Sequence, residues 1–463
     1  MALDEILAHK RAEVAAREGS TSLESQLTRC TPSDRDFEAA LRARRPGFIL
    51  EIKFASPSAG VIRADGDLEP VLRSYGLHAD AVSVLTDERF FGGSLARLTE
   101  VRRRLPQPVL CKDFILGPYQ VAEARAHGAD AILLILAAVD DATWRACADL
   151  ATRFRMAVLT EVHDAAETQR AVALGARIIG VNNRDLRTLT VDMNTTPRLA
   201  PGIPRDRLVI AESGISSRDE VASLRAHADA FLVGSALMRA ARLDAAVRRL
   251  VYGQTKVCGL TRPEHAMAAV RAGATHGGLV FVDDSPRKLT RDEAESVRRA
   301  APLEWVAVFA DRPPEEIAGL AKGLELHAVQ LHGNEGPKEI ARVRSLVPGG
   351  CAVWKAVRVR EQIPARAETG ADRLLLDGWT AGRLGGTGTR FDWSLLEQYA
   401  ERSEVILAGG LKSDNAEHAA ALTPWALDVS SGVESAPGTK DPALLRQFFM
   451  ARRRLPGRGD DER

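Results

Sequence analysis

The sequence predicts an α/β chain of two tandem (β/α)8 TIM barrels with an extra N-terminal helical segment. Three observations carry this. Short apolar runs of strand length recur along the chain, each followed by a stretch with apolar residues at helical spacing. The runs number eight, and then eight again. The length, 463 residues, is close to twice the roughly 200–250 residues that close one such barrel. Strands alternating with helices imply a parallel sheet. A pair of open doubly wound sheets is the runner-up, and the repeated count of eight argues against it.

In chain order, "MALDEILAHKRAEVAAREG" reads as an amphipathic helix. Asp4 and Glu5 and the lack of an apolar core region exclude a signal or transit peptide. With "DFEAALRARR" it precedes the first strand and reads as extra helices covering one mouth or side of the first barrel. The first eight runs are "FILEIK" (48–53), "AVSVLT" (81–86), "VLCKDF" (109–114), "AILLIL" (131–136), "AVLTEV" (157–162), "IIGVNN" (178–183), "LVIAES" (208–213) and "FLVGSAL" (231–237). Between them, pieces such as "PYQVAEARAHGA" carry the helical spacing with glycine near the end. The second eight are "KVCGLT" (256–261), "GGLVFV" (277–282), "WVAVFA" (305–310), "AVQLHG" (328–333), "AVWKAV" (352–357), "RLLLDG" (373–378), "VILAGGL" (405–411) and "ALDVSSGV" (426–433). The expected domains are 1–254 and 255–455, joined near Tyr252–Thr255 with almost no linker, and 456–463 reads as a disordered tail.

Lys plus Arg number 63 and Asp plus Glu 62, a net charge of +1, so no global field draws the chain to nucleic acid or membrane. No apolar run reaches the roughly 18 residues that span a bilayer. Five cysteines, odd in number and without CxxC spacing, argue against a disulfide framework or a zinc site and for a reducing cytoplasm.

Active sites of such barrels lie at the C-terminal ends of the strands. A buried parallel strand should be nearly all apolar, so charges at strand ends are the places to look. The first barrel offers Glu51 and Lys53, Lys112 and Asp113, Glu161, Asn182, Asn183 and Arg184, and Glu212 and Ser213. Any one alone reads as a solvated strand end or a salt bridge. Five strands delivering polar groups to one mouth read as a site, with Lys112 and Glu161 placed to face each other as proton donor and acceptor.

The second barrel offers Cys258, Arg287, Gln330, His332, Lys355, Asp377 and Asp428. A lone cysteine in a strand is most often a small hydrophobe. Cys258 and Asp377, ending the first and sixth strands, form a base–acid pair if a nearby Arg or Lys depresses the thiol pKa. Glycine-rich turns follow the last two strands of each barrel: "ESGIS" (212–216), "VGSALM" (233–238), "AGGL" (408–411) and "SSGVE" (430–434), with "GGTG" (385–388) besides. Such turns let backbone N–H groups approach a phosphate; ordinary turn glycines are the bland alternative.

On these motifs the first half resembles indole-3-glycerol phosphate synthase, through "FILEIKFASPSAGVI", "SVLTDERFFGGS", "VLCKDFI", "VLTEVH", "GVNNRDL", "AESGI" and "FLVGSALM". The second resembles phosphoribosylanthranilate isomerase, through "KVCGLT", "GGLVFVDDSPRKL", "AVQLHGNE", "LLLDGW", "GGTGTRFDW", "ILAGGL" and "DVSSGVE". Together they look like the fused bacterial enzyme for consecutive steps of tryptophan biosynthesis. The resemblance implies Asp377 as general acid and Cys258 as general base of an Amadori rearrangement. Arg287 would hold the anthranilate carboxylate. Gln330, His332, Gly386, Gly410, Asp428, Ser431 and Gly432 would bind substrate, the glycine turns its phosphate.

In the first barrel the resemblance implies Lys112 as general acid for ring closure and Glu161 as acid or base in dehydration. Glu51, Lys53 and Asn182 complete the catalytic set. Ser56, Arg184 and Glu212 would bind substrate, and Ser213, Gly214, Gly234 and Ser235 its phosphate. No metal or organic cofactor is called for, and the partners are small phosphorylated anthranilate–ribose compounds. Ala59 stands where the family often has lysine, which implies a weaker contact from a mobile loop. A barrel that kept its anion turns and lost its chemistry, or another sugar-phosphate enzyme, stays open as an alternative. The former has no need of Lys112, Glu161, Cys258 and Asp377 together, the latter none of Arg184 and Arg287 as carboxylate holders. A chain with two joined barrels reads as a monomer.

Overall fold

The computed structural model describes residues 3–57, 60–63, 66–378 and 391–458. The first closed barrel consists of β1 (Gly47–Ile52), β2 (Ala81–Leu85), β3 (Val109–Lys112), β4 (Ala131–Ile135), β5 (Ala157–Val162), β6 (Ile178–Asn182), β7 (Leu208–Glu212) and β8 (Ala230–Val233). The second consists of β9 (Thr255–Cys258), β10 (His276–Val280), β11 (Glu304–Phe309), β12 (Ala328–Leu331), β13 (Ala352–Val359), β14 (Arg373–Gly378), β15 (Val405–Leu407) and β16 (Ala426–Val429). Every pairing within each barrel is parallel, and β1 closes on β8 as β9 closes on β16.

Burial on both faces explains the continuous apolar runs: all six residues of β1 are buried, Glu51 included. Several helices start where side chains satisfy first-turn N–H groups. Asp140 and Asp164 accept from the backbone three residues on, and Ser217–Glu220 and Thr290–Glu293 form capping boxes. The predicted strands begin within a residue of the observed ones; most overrun at their ends, while the run at 352–357 stops two residues short of Val359. "VILAGGL" stops at Leu407 because Gly409 and Gly410 take φ values of 80° and 65°, outside any strand ladder.

Contacts divide the chain into two units, one of residues up to Leu250 with 455–458, the other Val251–Arg454. Residues 456 and 458, read from sequence as part of a disordered tail, make polar contacts. Arg225 donates to the Pro456 carbonyl at 2.5 Å, and Arg458 donates to the Ile203 carbonyl and faces Asp229 at 3.9 Å. These are polar anchors that composition does not reveal; residues 459–463 lie outside the described residues.

The N-terminal helix Leu3–Ser20 covers the first barrel's mouth, where Leu3 and Ile6 line the cavity at the strand ends. Its anchor is Lys10, fully buried, with Nζ 2.8 Å from Asp87, 3.0 Å from Asp113 and 2.9 Å from Glu13. Burial alone would lower the lysine's pKa, but Asp113 and Asp87 outweigh it and hold the ammonium charged. Among the described residues no helix is long and apolar enough to cross a membrane.

Candidate active sites

In the first barrel, thirteen residues named from sequence line one cavity of about 310 Å³: Glu51, Lys53, Ser56, Lys112, Asp113, Glu161, Asn182, Arg184, Glu212, Ser213, Gly214, Gly234 and Ser235. Lys112, at the end of β3, is central. Its Nζ lies 3.1 Å from Glu161 Oε2 on β5 and 3.0 Å from Glu212 Oε2 on β7. Alternate strands thus point three charges at one another. Asn182 donates to Glu161 Oε1 at 3.0 Å, and Lys53 meets Glu51 at 2.7 Å.

Electrostatics separates the two carboxylates. Burial disfavours charge on both. At Glu161 the ammonium of Lys112, then His163 and Asn182, outweigh burial and hold the carboxyl well below its ordinary range. At Glu212 burial wins over Lys112, and the charges of Glu161 and Glu51 add to it, so the carboxyl is pushed up from its ordinary range. Burial would also lower the Lys112 pKa, but Glu161, Glu212 and Glu51 hold the ammonium protonated. One site therefore sets a carboxylate held ionised and a carboxyl biased toward its protonated form on either side of one cation.

Two glycines make room for this set. A Cβ at Gly180 would stand 2.1 Å from Glu212 Oε1, and one at Gly234 would stand 2.3 Å from Glu51 Oε2. Two residues of the sequence list turn out to be structural. Asp113 holds Lys10, and Asn183 ties the end of β6 to the next segment by accepting from Thr196 and donating to the Ser213 carbonyl. Sequence reasoning missed His163, whose Nε2 is 3.2 Å from Glu161 and Nδ1 3.1 Å from Glu167. It also missed the apolar side chains of Phe91, Leu186 and Leu189 in the cavity lining. Ala59 lies outside the described residues.

The second barrel's cavity, about 520 Å³, is lined by Cys258, Arg287, Gln330, His332, Asp377, Gly410, Asp428 and Ser431 among others. Gly432 is not in its lining; it backs onto the Leu411 carbonyl, where a Cβ would stand 1.9 Å away. Its part is to let the two turns pack. Gly386 lies outside the described residues. His332 takes a contact from Gln330 at 3.0 Å on Nδ1 and turns Nε2 to Asp377 at 3.7 Å. Ser430 donates to the Cys258 carbonyl at 3.2 Å and also lines the cavity.

Three features here were not foreseen from sequence. The Cys258 thiol is not depressed: burial raises its pKa, Asp428 adds to that, and Lys256 pulls down without prevailing. Arg287 already presents Nε and Nη2 to Glu434, at 2.9 and 2.6 Å, so its fork is engaged by the protein's own carboxylate. Lys355 belongs to a clamp on Gly333 and Glu335 and does not line the cavity. Lys256 is the partner that went unnamed. It is buried in β9 and meets Asp428 at 2.8 Å; a charge inside an otherwise apolar strand was the signal.

Parallel barrels that gather proton donors and acceptors beside glycine turns at the strand ends define two barrel enzymes in one chain. The family model described as indole-3-glycerol phosphate synthase matches residues 3–250, and that described as N-(5'phosphoribosyl)anthranilate (PRA) isomerase matches 255–451. The chain is 47% identical over 451 residues to "Tryptophan biosynthesis protein TrpCF" of Yersinia pestis, covering 97% of this chain and 94% of the other. Proteins of the same name from Vibrio parahaemolyticus (97% and 93% covered) and Salmonella typhi (97% and 99%) are each 45% identical. The chain belongs to the family of fused indole-3-glycerol phosphate synthase and PRA isomerase enzymes of tryptophan biosynthesis, a decarboxylating lyase followed by an isomerase.

Proposed function

We propose that the second barrel isomerises N-(5'-phosphoribosyl)anthranilate by the acid–base pair Asp377 and Cys258, and that the first closes its product to indole-3-glycerol phosphate around Lys112. The observation that carries this is that each barrel's proton-transfer set and its glycine turns line one cavity.

In the isomerase step, Asp377 gives its proton to the furanose ring oxygen as the C1'–O bond breaks, leaving an iminium. Cys258 then takes the C2' proton, and the enolamine tautomerises to the ketone by gaining a proton at C1'. The thiol must ionise inside a buried site, and Lys256 is the cation that stabilises the thiolate. Arg287 exchanges Glu434 for the anthranilate carboxylate when substrate enters, a swap of one bidentate pair for another.

In the synthase step, an aromatic carbon attacks the ketone while Lys112 protonates the developing alkoxide. Loss of carbon dioxide restores aromatic electron flow, and water leaves in the last step. Glu161, held ionised, accepts a proton from the methylene carbon of the newly closed ring as Lys53, paired with Glu51, assists departure of the hydroxyl. Asn182 and Arg184 bind the anthranilate end. The phosphate sits on the turns at Ser213–Gly214 and Gly234–Ser235, and on Gly410 and Ser431 in the other barrel. We read the chain as a cytoplasmic monomer acting on small phosphorylated anthranilate–ribose compounds, with no nucleic acid or membrane partner. The net charge of +1 and five free cysteines support that reading.

The test follows loss of phosphoribosylanthranilate fluorescence and appearance of indole-3-glycerol phosphate in wild type, Cys258→Ala and Lys112→Ala. Each variant is expected to lose one step by at least about 10²-fold, the scale of a missing general acid or base, and to keep the other. A folded variant that loses both steps would overturn the assignment.

A further inference from the structure

At the N-terminal ends of its strands, opposite the catalytic rim, the second barrel carries a polar cluster that neither reaction uses. His276 opens β10, Glu304 opens β11, and His327 immediately precedes β12. Each offers one ligating atom, and the three atoms lie within 4.8 Å of one another. His276 is fully buried, and the other two are partly exposed. Nitrogen, nitrogen and carboxylate oxygen is a donor set suited to a first-row divalent cation.

We propose that this cluster binds a divalent transition-metal ion of the zinc class, held by His276, Glu304 and His327 and completed by water. A tetrahedral ion with bonds of about 2.0–2.1 Å separates its ligand atoms by about 3.3 Å. His276 Nε2 and Glu304 Oε2 stand 3.0 Å apart, near that spacing before any ion enters. The His276 ring is also oriented as ligating imidazoles are, with Nδ1 2.8 Å from the Thr275 hydroxyl and Nε2 turned to the carboxylate. The strand register fixes this approach, since His276 and Glu304 are directly paired residues. Arg373, which stacks on Trp425 at 3.9 Å, donates to Glu404 at 2.8 Å. The ion would tie three successive strands together at the barrel floor, so it acts on stability and not on turnover.

The experiment uses the full chain, stripped with chelator and titrated with Co²⁺. The expected result is one equivalent bound with visible d–d absorption of a four-coordinate site, displaced by Zn²⁺. Tryptophan fluorescence should be quenched in parallel, because the His276 ring lies 5.8 Å from Trp354 and 5.5 Å from Trp425. His327→Ala and Glu304→Gln, both at partly exposed positions, should each weaken uptake at least about tenfold while isomerase turnover stays unchanged and reports an intact fold. Failure of the wild type to take up cobalt would overturn the proposal and leave a proton-bridged His276–Glu304 pair. Equal uptake by wild type and both variants would overturn it too, placing the metal on other groups such as the thiols.

Discussion

Proton positions in the first barrel are set residue by residue. Glu161 and Glu212 share one lysine, yet one is held ionised and the other pushed toward neutrality, because only Glu161 has His163 and Asn182 on its second oxygen. Gly180→Ala tests how tightly this is built. Its Cβ would displace the free end of Glu212, a flexible side chain, so the fold should survive. Synthase turnover should fall by about 10²-fold, as for a misplacement near 1 Å, with isomerase turnover unchanged; a fully active variant would show that Glu212 need not sit there. His163 gives a pH prediction. Burial lowers its pKa, but Glu161 and Glu167 prevail and raise it from 6.5 to about 10. A raised pKa stabilises the fold fully below the unfolded value, and that gain disappears as pH rises through about 10. The urea stability gap between wild type and His163→Gln should therefore narrow by about 2–4 kcal/mol between pH 6 and pH 10.5. A gap that stays constant would mean His163 is not charged in the fold.

Elements place these residues, and the N-terminal helix depends on a single buried cation. Lys10→Met leaves Asp87 and Asp113 buried without their ammonium, although Thr86 still donates to Asp113 at 2.6 Å and the Phe90 N–H to Asp87 at 2.7 Å. Removing one partner of a buried ion pair costs about 3–5 kcal/mol. Denaturant unfolding should show that loss in the first unit, and the synthase KM should rise because Leu3 and Ile6 form part of the cavity wall. An unchanged KM would show the helix to be a support only. Amphipathic spacing announced this helix in the sequence, but nothing there marked Lys10, since Asp87 and Asp113 are remote in the chain.

For the whole molecule, each barrel has a site of its own, so the two activities should complement in trans. A mixture of Lys112→Ala and Cys258→Ala chains should convert phosphoribosylanthranilate to indole-3-glycerol phosphate, each chain supplying one intact barrel. The check is product formation with time at equal concentrations of the two variants. A mixture as inactive as either variant alone would mean that both sites must lie on one chain.

Local chemistry written in the sequence determined the sixteen strands, their order and the polar groups at their ends. Alternation of apolar runs with amphipathic stretches specifies βα units, and a charge ending a buried strand has nowhere to go but the rim. That is why Lys112, Glu161, Cys258 and Asp377 were legible. Tertiary structure alone decided which charges share a partner: Glu212 on Lys112, Glu434 on Arg287, Asp113 on Lys10, and the raised thiol of Cys258. Pairing and desolvation depend on distances between residues far apart in the chain, and those distances exist only once the barrels have closed.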